Sequence, residues 1–160
     1  MIKNKIKNLK EIEVIAARLR KINKKIVTTN GVFDLLHAGH VAYLEKAKAL
    51  GDVLMVGINS DSSVKQNKGD KRPINGERAR LIVMASLESV DYVFLFSEKD
   101  PKSWLEKIKP DIHVKAADYK LNQIIEKEPV EKNGGKITLI ALEKGFSTTK
   151  TIEKILKIFS

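Results

Sequence analysis

Val53-Leu54-Met55-Val56-Gly57-Ile58 is an unbroken apolar run between the polar residues Asp52 and Asn59. A strand that is apolar on both faces must be covered on both faces, and parallel sheets meet that condition. Parallel strands need long crossovers, usually helical. The rest of the chain supplies them. Leu9, Ile12, Ile15, Ala16, Leu19 and Ile22 recur at helical spacing and predict an amphipathic helix over 8–23. A short strand over 26–29 follows, then a turn-like stretch to Asp34. A helix over 39–50, stopped by Gly51, leads into the run at 53–58.

The polar stretch Asn59–Asn75 reads as a long loop. Helix 77–89 turns Leu81, Ile82, Met84, Ala85 and Leu87 inward and precedes a strand over 92–96. Pro101 opens a helix that Pro110 ends, and a strand over 112–114 follows. Residues 121–132 read as helical, 136–142 as a strand, and Ser147 as the cap of a last helix over 148–158. Five strand–helix alternations predict an α/β fold, a Rossmann-like doubly wound sheet of about five parallel strands, with an extra N-terminal helix. The expected division is a basic amphipathic helix over 1–25 and one α/β domain over 26–160. In such folds ligands bind at the carboxyl ends of the strands.

Of 160 residues, 42% are apolar and 31% charged, which fits a globular rather than a disordered chain. No apolar run is long enough to span a membrane, and the basic start does not read as a signal peptide. Without cysteine there is no disulfide and no thiol nucleophile. A cytoplasmic location is expected. The net charge of +10 is concentrated near the start, where residues 1–25 hold nine lysines and arginines against two glutamates. No aromatic residue interrupts that stretch to stack on bases, so a solvated helix face is favoured over a nucleic-acid-binding arm.

His37-Ala38-Gly39-His40 stands where the first strand's loop enters a helix. Imidazoles three residues apart share one side of the first helical turn. The unpaired N–H groups there favour an anion, and Gly39 leaves room for a ligand to approach. A metal site would need a third ligand, and none is evident, so the imidazoles read as donors to a phosphate chain. Ser147-Thr148-Thr149, next to Gly145, forms a second hydroxyl-rich helix start on the same rim. The long loop carries Lys65, Lys68, Lys71 and Arg72. Lys68 is the first candidate to close over phosphates, and Arg80 could complete the charge balance.

These motifs resemble the nucleotidyltransferase superfamily marked by His-x-Gly-His. Within it they are most similar to the heptose 1-phosphate adenylyltransferases of lipopolysaccharide-core precursor synthesis. The likeness runs from Ile26 to Ile155 and includes Thr29 to His40, Asn59-Ser60-Asp61, Lys68 to Asn75 and Ser147-Thr148-Thr149. It implies ATP and a sugar 1-phosphate as substrates, Mg²⁺ carried with the ATP, no metal ligands from protein side chains, and a homodimer. With no kinase sequence present, a stand-alone transferase is expected. The implied nucleotide site is Asn30, Gly31, Val32, Phe33, His37, Gly39, His40, Arg80, Asp118 and Ser147 to Thr149. Asp34, Asn59, Asp61, Lys68 and Lys115 fall on the sugar-phosphate side, with Asp34 buttressing its turn. His37, His40 and Lys68 are the implied catalytic residues.

One departure concerns Ala116-Ala117, where the family usually has Gly-Gly before Asp118-Tyr119. A left-handed backbone there would strain the alanines, or their methyl groups would crowd the base. Two alternatives remain at this point. One is a glycerol 3-phosphate cytidylyltransferase, though that family carries Arg-Thr-Glu-Gly where this chain has Leu142-Glu143-Lys144-Gly145. The other is a non-catalytic nucleotide or nucleic-acid binder.

Overall fold

The computed structural model describes residues 1–143 and 145–159, leaving out the side chain of Leu121. Lys144, part of the comparison with Arg-Thr-Glu-Gly, and Ser160 lie outside the described residues. Six parallel strands form one sheet: β1 (Ile6–Lys7), β2 (Ile26–Gly31), β3 (Val53–Asn59), β4 (Tyr92–Phe96), β5 (Ile112–Ala116) and β6 (Lys136–Ile140). Their spatial order is β1-β4-β3-β2-β5-β6. The chain winds from β2 through β3 to β4, then returns to the other side of β2 for β5 and β6. Strand order therefore reverses between β2 and β5, and a crevice opens there at their carboxyl ends.

Alternation along the apolar run explains its double burial. Leu54, Val56 and Ile58 join one core layer with Leu44 of α3 (Ala38–Lys48) and Met84 of α5 (Glu77–Ser86). Met55 joins the opposite layer with Ile12 of α2 (Leu9–Lys21) and Trp104 of α6 (Lys102–Ile108). Gly57 has Phe94 and Trp104 ring atoms within 3.2 Å of where a Cβ would stand, so the strand takes glycine at the most crowded point.

Several elements differ from the sequence reading. The first long strand runs on past the expected 26–29, taking in Asn30 and Gly31. The hydroxyls of Thr28 and Thr29 are fully buried but satisfied, by His113 Nδ1 at 2.8 Å and by Tyr43 Oη at 2.9 Å. The expected loop 59–75 contains α4 (Asp61–Lys68), whose N-cap Ser60 accepts from the Ser63 N–H. Its polarity hid it, because Ser63 and Val64 are its buried residues. Ile82 of α5 is 43% exposed instead of inward. The expected helix over 121–132 is a 3₁₀ turn, Leu121–Gln123, and a separate short α7, Lys127–Glu131. Pro129 lacks the N–H that a helix continuing from residue 125 would need, and is tolerated in the first turn of α7.

A four-residue helix α1 (Ile2–Lys5) and β1 precede α2, and neither is legible as periodicity. Ile6 and Lys7 pair with Val93 and Phe94. Asn8 then caps α2 in a capping box with Glu11. Ile12 and Ala16 are completely buried against the sheet, so the first 25 residues share the core of the rest. Several basic side chains of this segment are engaged internally: Lys5 with the Leu87 carbonyl, Lys24 with Asp52, and Arg20 with the Ile108 carbonyl. If the segment is integral, Ile12→Ala should destabilise the whole protein by about 2–5 kcal/mol. Denaturant unfolding read by fluorescence and circular dichroism should show one shifted transition. Loss of α2 alone, ahead of the sheet, would contradict this.

Candidate active site

The loops after β2 and β5 and the start of α8 (Thr148–Phe159) enclose a cavity of about 350 Å³ at the crevice. Of the residues expected from sequence, Asn30, Gly31, Val32, Phe33, Asp34, His40, Lys68, Lys115, Asp118, Thr148 and Thr149 line it. Tyr43, Arg72, Tyr119 and Leu142 line it as well. Tyr43 could have been read from its position three residues after His40, on the same helix face.

The histidines are arranged more tightly than their spacing alone requires. His37 caps α3, and its N–H donates to His40 Nδ1 at 3.3 Å. That bond leaves the proton of neutral His40 on Nε2 and makes Nε2–H a donor. The two rings stack with centroids 3.8 Å apart, and Phe146 stacks on His37 at 5.9 Å. Phe33 meets His40 edge-on at 5.5 Å. Phe33 itself sits in left-handed backbone at φ 48°, about 1–2 kcal/mol uphill for an L-residue. Burial, then the adjacent His37 ring, pushes the His40 pKa down to about 4. Burial also lowers that of His37. His37 is set behind His40 rather than in the cavity wall, and its Nδ1 has no partner among the described residues.

Gly39 serves a different purpose from ligand approach. A Cβ there would lie 3.1 Å from both His37 Nδ1 and Phe146 Cβ, so the glycine admits the aromatic column. Asn30 contributes a buried Oδ1 with no partner among the described residues, an acceptor available to a ligand donor. Ser147 Oγ accepts from the Lys150 N–H at 3.4 Å, and Thr148 Oγ1 donates to the Leu35 carbonyl at 3.3 Å. Two helix starts, α3 and α8, thus face one cavity. The backbone at Ala116 and Ala117 is not left-handed. Ala116 pairs with Ile140 in the sheet and lines the cavity, so its methyl group faces the site without backbone strain.

Arg80 departs from its expected place. It is 2% exposed and does not line the cavity. Its guanidinium donates to the Asn75 carbonyl at 3.0 Å, the Val32 carbonyl at 2.7 Å and Asp61 Oδ1 at 2.7 Å. Its position four residues before Met84, on the inward stripe of α5, was the available signal. Asp61 is therefore a partner of Arg80 rather than a wall residue. Asn59 is buried, bonding Ser63 Oγ at 3.1 Å.

Asp34 buttresses more than its own turn. It accepts from the N–H groups of Ile74 and Asn75 and from Arg72 Nε at 2.8 Å. Burial raises its pKa, but these bonds outweigh burial and hold it below the ordinary carboxylate range. Lys115 Nζ is 2.7 Å from Glu126 Oε1, and Glu126 is 4% exposed. Glu126 had no sequence signal, because its neighbours read as helix. Among the described residues no three His, Cys, Asp or Glu side chains form a metal-binding cluster.

A doubly wound sheet with a histidine-bearing helix start at its switch point is the arrangement of nucleotidyltransferases. The chain belongs to the cytidylyltransferase-like family, whose model matches residues 28–154. It is 45% identical over 155 residues to the bifunctional protein HldE of Geobacter sulfurreducens, covering 97% of this chain. The HldE protein of Nitratiruptor is 49% identical over 150 residues, or 94% of this chain. The chain spans 32% of the length of each of these relatives. A lipopolysaccharide core biosynthesis protein from Thermoplasma volcanium superposes with a TM-score of 0.64 at 33% identity, over 78% of this chain and 100% of that one. A pantoate-beta-alanine ligase from Francisella tularensis shares the fold at 24% identity, with a TM-score of 0.63 over 96% of this chain and 77% of its own.

The buried imidazoles make folding acid-sensitive. Their folded pKa values, about 4 for His40 and about 3 for fully buried His113, lie below the unfolded value of 6.5. As pH falls the unfolded chain binds protons first, so stability present above about pH 6.5 is lost as pH falls, toward about 4 for His40 and about 3 for His113. Equilibrium unfolding across this window should show His40→Asn declining less steeply than the unaltered protein. Identical slopes would remove His40 from the effect.

Proposed function

We propose that the protein transfers an adenylyl group from Mg·ATP to a heptose 1-phosphate, giving ADP-heptose and pyrophosphate for surface-glycan precursors. The observation that carries the chemistry is the His37 N–H bonded to His40 Nδ1, which leaves Nε2 to donate, with His40, Thr148 and Thr149 lining one cavity. The choice of acceptor is supported by the motif resemblance to heptose 1-phosphate adenylyltransferases. Likeness to HldE proteins over nearly the whole chain, and to a lipopolysaccharide core biosynthesis protein, points the same way.

On this reading a phosphate oxygen of the sugar 1-phosphate attacks the α-phosphorus of ATP, and the bond from that phosphorus to the pyrophosphate oxygen breaks. The attacking monoester is already anionic, so no strong general base is needed. Catalysis is alignment and stabilisation of the charge that moves onto the leaving oxygens. His40 donates from Nε2, and the starts of α3 and α8 present N–H and hydroxyl groups to the phosphate chain. His37 holds the His40 tautomer and orientation through its N–H.

Two of the three cations in the wall are already paired, Arg72 with Asp34 and Lys115 with Glu126. Lys68 lines the cavity with no ion-pair partner among the described residues, which supports its role on phosphate. The remaining charge of the triphosphate is met by the Mg²⁺ that arrives with it. No helix among the described residues is long and apolar enough to cross a membrane. The working state on this reading is a cytoplasmic homodimer.

The test is pyrophosphate release with Mg²⁺ from a panel of nucleoside triphosphates paired with sugar and polyol phosphates. ATP with a heptose 1-phosphate should turn over fastest. Turnover only with CTP and glycerol 3-phosphate would overturn the proposal. In the productive pair, His40→Ala should lower kcat by a factor of about 100 or more with the fold intact.

A further inference from the structure

The Lys115–Glu126 pair has features that a phosphate-binding lysine does not need. Its side chains are 12% and 5% exposed, and their charged atoms are 2.7 Å apart. The ammonium also lies 5.0 Å from the centroid of the Tyr119 ring. A carboxylate on one side and an aromatic face on another fix its direction and cancel its net charge. A lysine meant to attract a polyanion works best with its charge uncompensated, as at Lys68. Lys115 stands instead among Ala116, Asp118, Tyr119 and Leu142, a part of the wall with mixed apolar and polar groups. Its two remaining N–H groups suit uncharged acceptors, such as a ring nitrogen, a carbonyl or a ribose oxygen.

We infer that Glu126 is a positioning residue that converts Lys115 from a phosphate-attracting charge into a directed hydrogen-bond donor to the nucleoside part of the nucleotide. The inference rests on the cavity being the nucleotide site, as proposed above, but not on the identity of the sugar acceptor. Glu126 does not itself line the cavity and acts through Lys115. The pair lets the site distinguish a nucleotide from a bare phosphate chain. A cavity of free lysines would bind both.

The experiment compares the affinities for Mg·ATP and Mg·tripolyphosphate by calorimetry, since tripolyphosphate lacks base and ribose. Glu126→Gln keeps the shape and removes the compensating charge. It should weaken ATP binding relative to tripolyphosphate, lowering the ratio of the two affinities by about tenfold. Tripolyphosphate itself should bind more tightly, with a gain that fades as salt is added. An unchanged ratio would overturn the inference, whether both affinities stay fixed or move together, and the latter is what general loosening of the fold produces. Because an unpaired buried lysine can cost stability, a second variant, Lys115→Met with Glu126→Gln, removes both charges. It should melt near the unaltered protein and show the same lowered ratio. A double variant that still favours ATP by the original ratio would also overturn it. Absence of binding by either ligand to the unaltered protein would instead refute the nucleotide site.

Discussion

The rim of this protein depends on one buried guanidinium. Arg80 reaches from α5 to the carbonyl after β2, to the carbonyl that ends the 69–75 loop, and to the carboxylate that opens α4. Taking such a charge out of water costs several kcal/mol, and full satisfaction by fixed acceptors is what makes it tolerable. The arrangement ties together three segments that share no sheet ladder. Asp34 repeats the device with the opposite sign, gathering Arg72 and two backbone N–H groups from the same loop. Between them the turn bearing Phe33, the helix α4 that ends at Lys68 and the loop after it are held in fixed relation. The left-handed backbone of Phe33 persists because its surroundings over-determine it.

Much of this architecture is legible in the sequence, for a physical reason. Strands buried on both faces must be continuously apolar, so β3 and β4 announce themselves. Glycine and proline punctuate the helices around them. What stays hidden is whatever depends on tertiary partners. β1 is too short to have a period, and its existence rests on pairing with β4. α4 buries little and so reads as loop, although Ser60 before it and Lys65 and Lys68 at its end are ordinary helix-boundary signals. For the site, the residue types in the two helix-start motifs reveal an anion cavity. They do not reveal which charges are already spent on other charges. Arg80, Asp61 and Asn59 carry the right chemistry for a substrate, but Arg80 and Asn59 are buried on internal partners and Asp61 is paired with Arg80. Gly39 carries the right conformational freedom, but its vacant side is filled by His37 and Phe146.

Charge in the cavity is mostly converted into direction. His40 is neutral because burial and its stacked neighbour keep it so, and a backbone N–H chooses which nitrogen holds the proton. Arg72 and Lys115 each face a buried carboxylate. A site built this way has little strong positive field of its own and many oriented donors. Preorganised dipoles stabilise charge that appears during a reaction without binding the ground-state charge too tightly.

The two-residue strand β1 has a consequence for how the chain is made. Ile6 and Lys7 are synthesised well before their partners Val93 and Phe94. Until then β1 has no ladder to join, although α2 can already lay Ile12 and Ala16 against Ile26 of β2 and Met55 of β3. An unpaired strand is exposed to wrong pairing, and the lysines flanking β1 oppose it, because like charges keep chains apart. Once β4 arrives, β1 covers part of its exposed edge.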